Sequence, residues 1–192
     1  MAELAHKRAS YEDVLSAPSH LVAEVLDGEL TLQPRPAMRH AAASSALGGE
    51  LMPPFSRGRN GPGGWLIVDE PELHLQADIL VPDLAGWQRS KLPRLPDAPY
   101  VTVPPDWVCE VLSANTARLD RTKKRPVYAR DGVRWLWFID AVARTLEAFE
   151  LTDGRYAVIG SWSDDAHVRV SPFEAFELDL AVLWADVDLA EQ

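Results

Sequence analysis

Hydrophobic and polar positions are most clearly patterned between residues 106 and 140 of the 192-residue chain. Residues 107–112 (WVCEVL) are apolar except for Glu110, which predicts a short strand buried on both faces. A polar, basic segment follows, and residues 134–139 (RWLWFI) predict a second buried strand. Two buried strands joined by a helical crossover form a parallel unit, which is almost always right-handed. We therefore expect such a unit at the centre of the fold.

The N-terminal quarter of the chain predicts a helix, a hairpin and a second helix. A capping-box pattern predicts a short helix over residues 11–16. Asp27-Gly28 separates two apolar runs and is the strongest hairpin signal in the chain. An alanine-rich segment without proline predicts a helix over residues 38–51 that begins near His40.

The remaining segments predict short strands and loops. The predicted strands cover residues 21–26, 29–32, 65–68, 73–75, 78–84, 145–151, 156–159, 168–170 and 176–178, the loops 53–64 and 90–105, and a brief helix 180–184. Proline lacks the N–H that a strand ladder needs, so Pro82 marks an edge, a bulge or a strand end. Together these elements predict an α/β fold with a central mixed β-sheet flanked by helices. We expect the N-terminal hairpin to pack over the edge that carries the candidate chemistry.

Length and composition predict a single globular domain over residues 1–192. Hydrophobic residues make up 47% and charged residues 25%, and no apolar run approaches the roughly 20 residues of a membrane helix. The first ten residues lack the apolar core of a signal peptide, so we expect a cytoplasmic protein. Cys109 is the single cysteine, which excludes an internal disulfide and a cysteine-based zinc site. Since it alternates in phase with Trp107 and Val111, we expect it in the core.

The net charge of -10 argues against binding to nucleic acid, because phosphate contacts supply most of the non-specific affinity. The distribution of the 19 Lys and Arg residues weakens that objection. Seven lie in or beside the crossover (Arg118, Arg121, Lys123, Lys124, Arg125, Arg130 and Arg134) and five in two Gly/Pro-rich loops (Arg57, Arg59, Arg89, Lys91 and Arg94). We therefore expect an acidic protein with one basic face.

Three polar features interrupt or follow the apolar strands: Pro82-Asp83, Glu110 and the pair Lys123-Lys124. Each alone is weak, since such residues are also typical of turns, of solvated strand ends and of exposed helix faces. Two carboxylates that converge at the ends of neighbouring strands form a hard oxygen site that suits Mg2+. A metal there lowers the pKa of bound water, and a nearby ammonium stabilises the charge of the transition state. The combination indicates phosphodiester hydrolysis.

An ordered series of short motifs runs through most of the chain. Its members are Glu24 to Glu29 (EVLDGE), Pro34, His40, Val81-Pro82-Asp83, Glu110 to Ser113 (EVLS), Asp120, Lys124, Tyr128, Gly132-Val133, Trp135 to Trp137 (WLW) and Asp140. In this order, across residues 11–180, they resemble the Uma-type restriction endonuclease family within the PD-(D/E)XK nuclease superfamily. The resemblance implies a restriction-endonuclease-like fold and a metal-dependent nuclease.

Transferred position by position, the resemblance also implies the roles of individual residues. Asp83 and Glu110 are then the metal ligands, with the Val111 carbonyl as a candidate third ligand. Glu24 is then an accessory acid near the metal.

The position of the catalytic lysine departs from the usual pattern of the superfamily. That lysine normally lies two residues after the second acid, where this chain has Leu112. In the Uma-type pattern the lysine comes from the following helix, which here indicates Lys124. Lys123 stays open as an alternative, because Pro126 lies deeper in that helix than expected and can shift its start.

Other polar and aromatic residues also have structural interpretations. His40 is a candidate contact for a phosphate or for the metal-bound water, and equally a helix cap or a structural hydrogen bonder. Tyr128 lies one turn after the candidate lysine, and we expect it to pack. Asp140 is expected in a turn, and Asp164-Asp165 in an exposed turn rather than a metal site. Three tryptophans are expected in the core rather than in a base-stacking groove: Trp107, Trp135 and Trp137.

Three hypotheses about function follow. The first is an endonuclease dependent on Mg2+, or on Mn2+, that cleaves DNA with Asp83, Glu110, Lys124 and Glu24 as its catalytic residues. The second is a catalytically inactive nuclease-like module that binds nucleic acid or a protein. The third is a metal-dependent hydrolase of small phosphate esters. We expect a homodimer, since symmetric dimers are the commonest oligomers.

Overall fold

The computed structural model describes residues 8–186. Residues 1–7, which hold most of the segment from which we predict a cytoplasmic protein, lie outside it, as do the last six residues of the predicted domain. Within residues 8–186, no helix has both the length and the apolar character needed to cross a membrane.

Short helices and strands alternate along the described chain. The helices are α1 (Tyr11–Leu15), α2 (Met38–Leu51), α3 (Ala117–Leu119) and α4 (Arg125–Arg130), with π-helical turns at Met52–Ser56 and Asp120–Lys124 and a 3-10 turn at Leu180–Leu183. The strands are β1 (Leu21–Leu26), β2 (Glu29–Pro34), β3 (Trp65–Asp69), β4 (Leu73–Leu75), β5 (Asp78–Leu80), β6 (Leu84–Gln88), β7 (Trp107–Leu112), β8 (Trp135–Asp140), β9 (Thr145–Thr152), β10 (Arg155–Ser163), β11 (His167–Val168) and β12 (Leu178–Asp179). Most predicted elements are confirmed to within two residues.

A six-stranded mixed sheet forms the centre of the fold, with the strand order β10-β9-β8-β7-β6-β3. β7 and β8 are parallel, whereas the other neighbouring pairs are antiparallel. The chain passes from β7 to β8 through α3, the Asp120–Lys124 turn and α4. This confirms the predicted strand, helical crossover and parallel strand. Glu110 lies near the carboxyl end of β7, where the crossover begins.

A four-stranded sheet with the order β2-β1-β5-β4 contains the N-terminal hairpin. β1 and β2 pair along their full length, as the Asp27-Gly28 signal predicts. Both turn residues have positive φ, 56° and 81°, the backbone conformation that this tight hairpin requires. Val25 of β1 pairs with Ile79 of β5, which attaches the hairpin to the rest of the fold.

The single strand predicted over residues 78–84 is wrong, because the chain changes sheets within it. β5 ends at Leu80 in the small sheet, and β6 begins at Leu84 in the large one. Pro82 lies between them and has no N–H to continue the ladder, so it marks a strand end. β6 then continues to Gln88, beyond the predicted end of the strand.

The loop predicted from residue 53 also begins later than expected. The helical path of α2 continues through Pro53 and Pro54 as a π-helical turn, which ends when the Arg57 N–H donates to the Met52 carbonyl at 3.1 Å. Proline lacks the N–H for an α-helical bond and crowds the preceding turn, and the wider π-helical turn accommodates it.

The hydrophobic core consists of two clusters on opposite faces of the large sheet. Trp107, Cys109 and Val111 of β7 belong to one cluster, and Val108 and Leu112 belong to the other. Because successive side chains of a strand point to opposite faces, β7 is buried on both sides. α2 packs on the first cluster and α4 on the second, which confirms a sheet flanked by helices. Cys109 and the three expected tryptophans are buried as predicted: Trp107, Trp135 and Trp137.

The C-terminal part differs in detail from the prediction. β10 extends to Ser163 rather than ending at residue 159, and its pairing with β9 is irregular between Val158 and Gly160. That irregularity interrupts the alternation of apolar and polar residues, which explains the missed second half of the strand. The two strands predicted near residues 168 and 178 are confirmed, but each is only two residues long.

Substitution of Gly61 tests the close packing of the loop after the Met52–Ser56 turn against Pro54. A Cβ at Gly61 would lie 2.4 Å from the Pro54 Cβ and 2.8 Å from the Pro54 carbonyl oxygen. We expect Gly61→Ala to lower the free energy of unfolding by about 1–3 kcal/mol. Gly49→Ala is the matched control, because a Cβ there meets nothing within 4 Å. It should raise stability by about 0.5–1 kcal/mol, since alanine favours a helix.

Urea denaturation of both variants measures the two changes. If Gly61→Ala were as stable as the parent protein, the close contact between this loop and Pro54 would be contradicted.

Candidate active site

One cavity of about 320 Å³ brings together residues from both sheets and from the crossover. All of the predicted catalytic and metal-binding residues line it: Glu24, Asp83, Glu110, Val111 and Lys124. Two further acids, Asp120 and Glu70, line it as well. The hairpin supplies Glu24 from β1, so it does pack over this edge of the large sheet, as predicted. Residues distant in sequence therefore form one polar site.

Asp83 is held at the end of the ladder between β6 and β7. Leu84, the first residue of β6, pairs with Cys109 of β7. Beyond this pair, Asp83 Oδ2 accepts a hydrogen bond from the Val111 N–H at 2.7 Å. The Asp83 side chain thus accepts from the Val111 N–H, which has no backbone partner in β6 because β6 begins only at Leu84. This bond fixes the Asp83 carboxylate beside the peptide that follows Glu110.

Glu110 is a buried carboxylate with two side-chain partners from the crossover. Its Oε1 accepts a hydrogen bond from the Tyr128 hydroxyl at 2.6 Å, and its Oε2 accepts one from Lys124 Nζ at 3.3 Å. Burial raises the pKa of Glu110 well above its ordinary value. The lysine opposes this shift, whereas the neighbouring carboxylates of the cavity increase it. Glu110 therefore lies where additional positive charge would be favourable.

Lys124 is surrounded by carboxylates. Its Nζ lies 3.0 Å from Glu24 Oε1, 3.3 Å from Glu110 Oε2 and 3.4 Å from Asp120 Oδ1. Burial acts to lower the pKa of Lys124, but these three carboxylates outweigh it and raise the pKa well above the ordinary value. Lys123 instead has a side chain that is 42% exposed and lies 3.5 Å from Asp27. Of the two candidate lysines, Lys124 is the one that lines the cavity.

A π-helical turn determines where Lys124 lies. The Arg125 N–H donates to the carbonyl of Asp120, five residues earlier, instead of the carbonyl four residues earlier. Pro126 follows immediately and cannot donate to the carbonyl of Thr122, which favours the wider turn. The expected influence of this proline on the helix is thus visible in the backbone.

Glu24 connects the hairpin to the rest of the site. Its carboxylate accepts hydrogen bonds from the Val81 N–H at 2.8 Å and from Gln33 Nε2 at 3.0 Å. Val81 lies two residues before Asp83, so Glu24 anchors the segment that leads to the first predicted metal ligand. Together with the ion pair to Lys124, these bonds satisfy a side chain that is fully buried.

His40 contacts the other side of Asp83. Its Nε2 lies against Asp83 Oδ1, while its Nδ1 is buried without a hydrogen-bond partner among residues 8–186. α2 has no side-chain cap, so the interpretation of His40 as a helix cap is wrong. The alternative of a structural hydrogen bonder is confirmed, and its partner is a predicted metal ligand.

Two residues of the crossover contribute more to the site than the sequence analysis predicts. Tyr128 is buried as expected, but its hydroxyl also donates to Glu110. Asp120 pairs with Lys124 as its spacing indicates, yet it is buried, and burial raises its pKa. Both residues lie four positions from Lys124, on either side, and this spacing is the signal that places all three on one helix face.

The remaining candidates have the structural roles predicted for them. Asp140 Oδ1 accepts hydrogen bonds from the N–H groups of Val142 and Ala143, both at 2.9 Å, which stabilises a turn. Asp164 and Asp165 are exposed in a turn before β11. None of these residues lines the cavity.

The donor chemistry of the cavity fits a hard divalent cation. Five carboxylates line it with one arginine, one lysine and one histidine, so negative charge is in excess: Glu24, Glu70, Asp83, Glu110 and Asp120 against Arg35, Lys124 and His40. Within residues 8–186, no group of three or more His, Cys, Asp or Glu side chains is arranged as a complete metal site. Mg2+ commonly uses one or two carboxylates and completes its shell with waters and substrate phosphates. The oxygens that we predict for such a shell are those of Asp83, Glu110 and the Val111 carbonyl.

Comparison with known proteins identifies the class as nuclease-like. The family model Uma2, described as "Putative restriction endonuclease", matches residues 9–182. The chain belongs to this family, which confirms the resemblance seen in the sequence.

A solved structure shows the same fold. It is described as "a putative nuclease belonging to DUF820" from Anabaena variabilis ATCC 29413. The TM-score is 0.73 at 21% identity, over 92% of this chain and 98% of that one. This likeness confirms the predicted fold class. None of the curated proteins is similar enough to the chain to count as a match.

Replacing each lysine in turn tests the buried charge cluster. Lys124→Met leaves three buried carboxylates without their common partner, so we expect the free energy of unfolding to fall by about 3–5 kcal/mol. Lys123→Met removes the same charge from a half-exposed side chain and should change stability by no more than about 0.5 kcal/mol. Urea denaturation in metal-free buffer measures both. If both variants lost a similarly small free energy of unfolding, the stabilising role of Lys124 in the buried charge cluster would be contradicted.

Proposed function

We propose that this protein is a Mg2+-dependent endonuclease of the PD-(D/E)XK superfamily that hydrolyses phosphodiester bonds in DNA, with Mn2+ as an alternative metal. The observation that carries the proposal is a single cavity in which carboxylates from three parts of the fold surround one buried lysine. Membership of the Uma2 family supports the nuclease class. The metal is inferred from the chemistry of the side chains, and DNA from the description of the family as restriction endonucleases.

In this proposal each residue of the cavity has one role. Asp83 and Glu110 hold the metal, and the Val111 carbonyl adds a third oxygen. When bound, Mg2+ supplies Lewis-acid activation of the phosphoryl group and of the attacking water. The Lys124 ammonium stabilises the negative charge that develops on the phosphoryl oxygens. Glu24 holds Lys124 in place through the 3.0 Å ion pair and keeps it protonated.

The proposed metal ligands are themselves oriented by neighbouring groups. His40 and the Val111 N–H hold the two oxygens of Asp83. The Tyr128 hydroxyl holds one oxygen of Glu110. Partners of this kind fix the orientation of a ligand before the metal arrives, and their loss typically weakens metal affinity or activity.

Replacement of the proposed ligands tests catalysis. Asp83→Asn and Glu110→Gln keep the size of each side chain but remove its charge, so we expect Mg2+-dependent cleavage of plasmid DNA to be lost. Lys124→Ala should slow cleavage by about 10²- to 10³-fold, through loss of charge stabilisation. Asp164→Asn, in an exposed turn, is the control and should cleave normally. Circular dichroism establishes that each variant is folded at the assay temperature.

Cleavage that persists in folded Asp83→Asn or Glu110→Gln would contradict the proposed mechanism.

Metal binding can be tested without a substrate. Calorimetric titration of the parent protein with Mg2+ and Mn2+ should show binding that is absent in Asp83→Asn and retained in Asp164→Asn. At a metal concentration of 100 times Kd, binding should also stabilise the fold by about 2.7 kcal/mol. Equal heats for the parent and Asp83→Asn would place the metal elsewhere.

A second candidate function is a catalytically inactive nuclease-like module that binds nucleic acid or a protein. The observation in its favour is that both proposed metal ligands already have hydrogen-bond partners: His40 and Val111 on Asp83, and Tyr128 and Lys124 on Glu110. Such a module does not require Mg2+ to bind its partner and never cleaves DNA. The cleavage assay on the parent protein distinguishes the two functions.

As part of the first proposal, the protein is a homodimer and acts in the cytoplasm. Two copies of the cavity, related by symmetry, would allow both strands of a duplex to be cut. The proposal for a single copy does not depend on this pairing.

A further inference from the structure

The two groups of basic residues found in the sequence have different surroundings in the fold. The group around the crossover is largely neutralised by ion pairs, which are Arg121 with Glu147, Lys123 with Asp27, Lys124 with the acids of the cavity, Arg130 with Asp78 and Arg134 with Glu150. Arg125 instead lies over the Phe149 ring, with Cζ 4.7 Å from the ring centroid. Arg118 is exposed and, like Arg125, forms no ion pair within residues 8–186, so two of the seven positive charges at the crossover are left unbalanced.

The second group lies in two loops, residues 57–64 and residues 89–94, which we call the basic loops. Four of their arginines are exposed, and none of the four pairs with a carboxylate of residues 8–186: Arg57, Arg59, Arg89 and Arg94. The fifth basic residue, Lys91, forms an ion pair with Asp106 at 3.2 Å. The basic loops therefore carry positive charge that the described part of the fold does not neutralise.

The basic loops lie side by side. They leave the large sheet from neighbouring strands, because Trp65 at the start of β3 pairs with Gln88 at the end of β6. The Arg89 N–H donates to the carbonyl of Gly64 at 2.8 Å, which joins one loop directly to the other. The four arginines thus lie on two loops that are joined to each other at this end of the sheet.

Backbone contacts also hold the basic loops in place. In the first loop, the Arg59 N–H donates to the Pro53 carbonyl at 2.8 Å and the Gly63 N–H to the Pro54 carbonyl at 2.9 Å. In the second, Arg89 Nη1 donates to the Pro93 carbonyl at 3.2 Å. The last of these bonds positions the Arg89 guanidinium, and a positioned group binds an anion at a smaller entropic cost than a mobile one.

The basic loops and the cavity lie at opposite ends of β6. Asp83 directly precedes this strand, and Arg89 directly follows it. A strand of this length spans about 17 Å, at about 3.4 Å per residue. Along one strand of duplex DNA, successive phosphates are about 3.4 Å apart along the axis. The length of β6 therefore corresponds to about five base pairs.

We propose that the basic loops bind the phosphate backbone of duplex DNA several base pairs away from the cavity. The choice of DNA as partner rests on the proposed function. Guanidinium groups suit this role because their planar donors match phosphate oxygens in a bidentate geometry. A row of regularly spaced phosphates is the ligand that several adjacent arginines can contact together.

The test is the salt dependence of DNA binding in metal-free buffer, where no cleavage occurs. Two double variants each remove two charges from one loop. The first combines Arg57→Gln and Arg59→Gln, and the second combines Arg89→Gln and Arg94→Gln. The control, Arg121→Gln with Arg134→Gln, removes the same charge from ion-paired positions. Fluorescence anisotropy measures Kd for a labelled duplex over a range of salt concentrations, and thermal melts establish that all variants are folded.

Each loop variant should weaken binding by at least about tenfold and reduce the slope of log K against log salt by about 1.8, or about 0.9 per lost phosphate contact. The control should leave the slope unchanged. Equal effects in loop and control variants would overturn the proposal, because net charge alone would then explain them. Absence of binding by the parent protein at low salt would overturn it too.

The outcome is independent of catalysis, since binding is measured without metal. Slopes that change as expected in a protein that never cleaves DNA would uphold the basic loops and refute the endonuclease proposal. Cleavage of DNA by the parent protein, with salt slopes unchanged in the loop variants, would uphold the endonuclease proposal and refute the role of the basic loops.

Discussion

The buried ammonium of Lys124 is the interaction on which the site depends. Three carboxylates from β1, β7 and the crossover lie within 3.0–3.4 Å of it, and all of these side chains are nearly inaccessible to solvent. Transfer of so many charges from water is costly, and only close, mutually satisfied contacts offset that cost. The lysine therefore links the N-terminal hairpin to the centre of the sheet and also lies next to the candidate chemistry.

Much of the fold follows from simple patterns in the sequence. The apolar run over Trp107–Leu112 and the aromatic run of β8 identify the parallel unit, because strands buried on both faces must be apolar throughout. Asp27-Gly28 identifies the hairpin through its turn geometry. Local pattern was insufficient around Pro82, because whether a proline bends a strand or ends it depends on which sheet the next residues join.

The sequence predicts which residues line the cavity better than it predicts the hydrogen bonds between them. Asp83, Glu110 and Lys124 follow from motif order. The contacts of Tyr128 and His40 with the two acids were not foreseen, since they depend on how α4 and α2 pack against the sheet. The π-helical turn before Pro126 was visible only as a conflict between a helical segment and a proline.

The route of the chain through the site bears on how the protein folds. The hairpin, the Pro82-Asp83 segment and the crossover meet only after contacts between positions far apart in sequence have formed. Closing such long loops is entropically unfavourable, and proteins rich in these contacts fold slowly. Strands such as β9 and β10, which are neighbours in sequence, can pair earlier. An incompletely folded or partly synthesised chain, in which Lys124 has not yet joined Glu24, therefore lacks the assembled cavity.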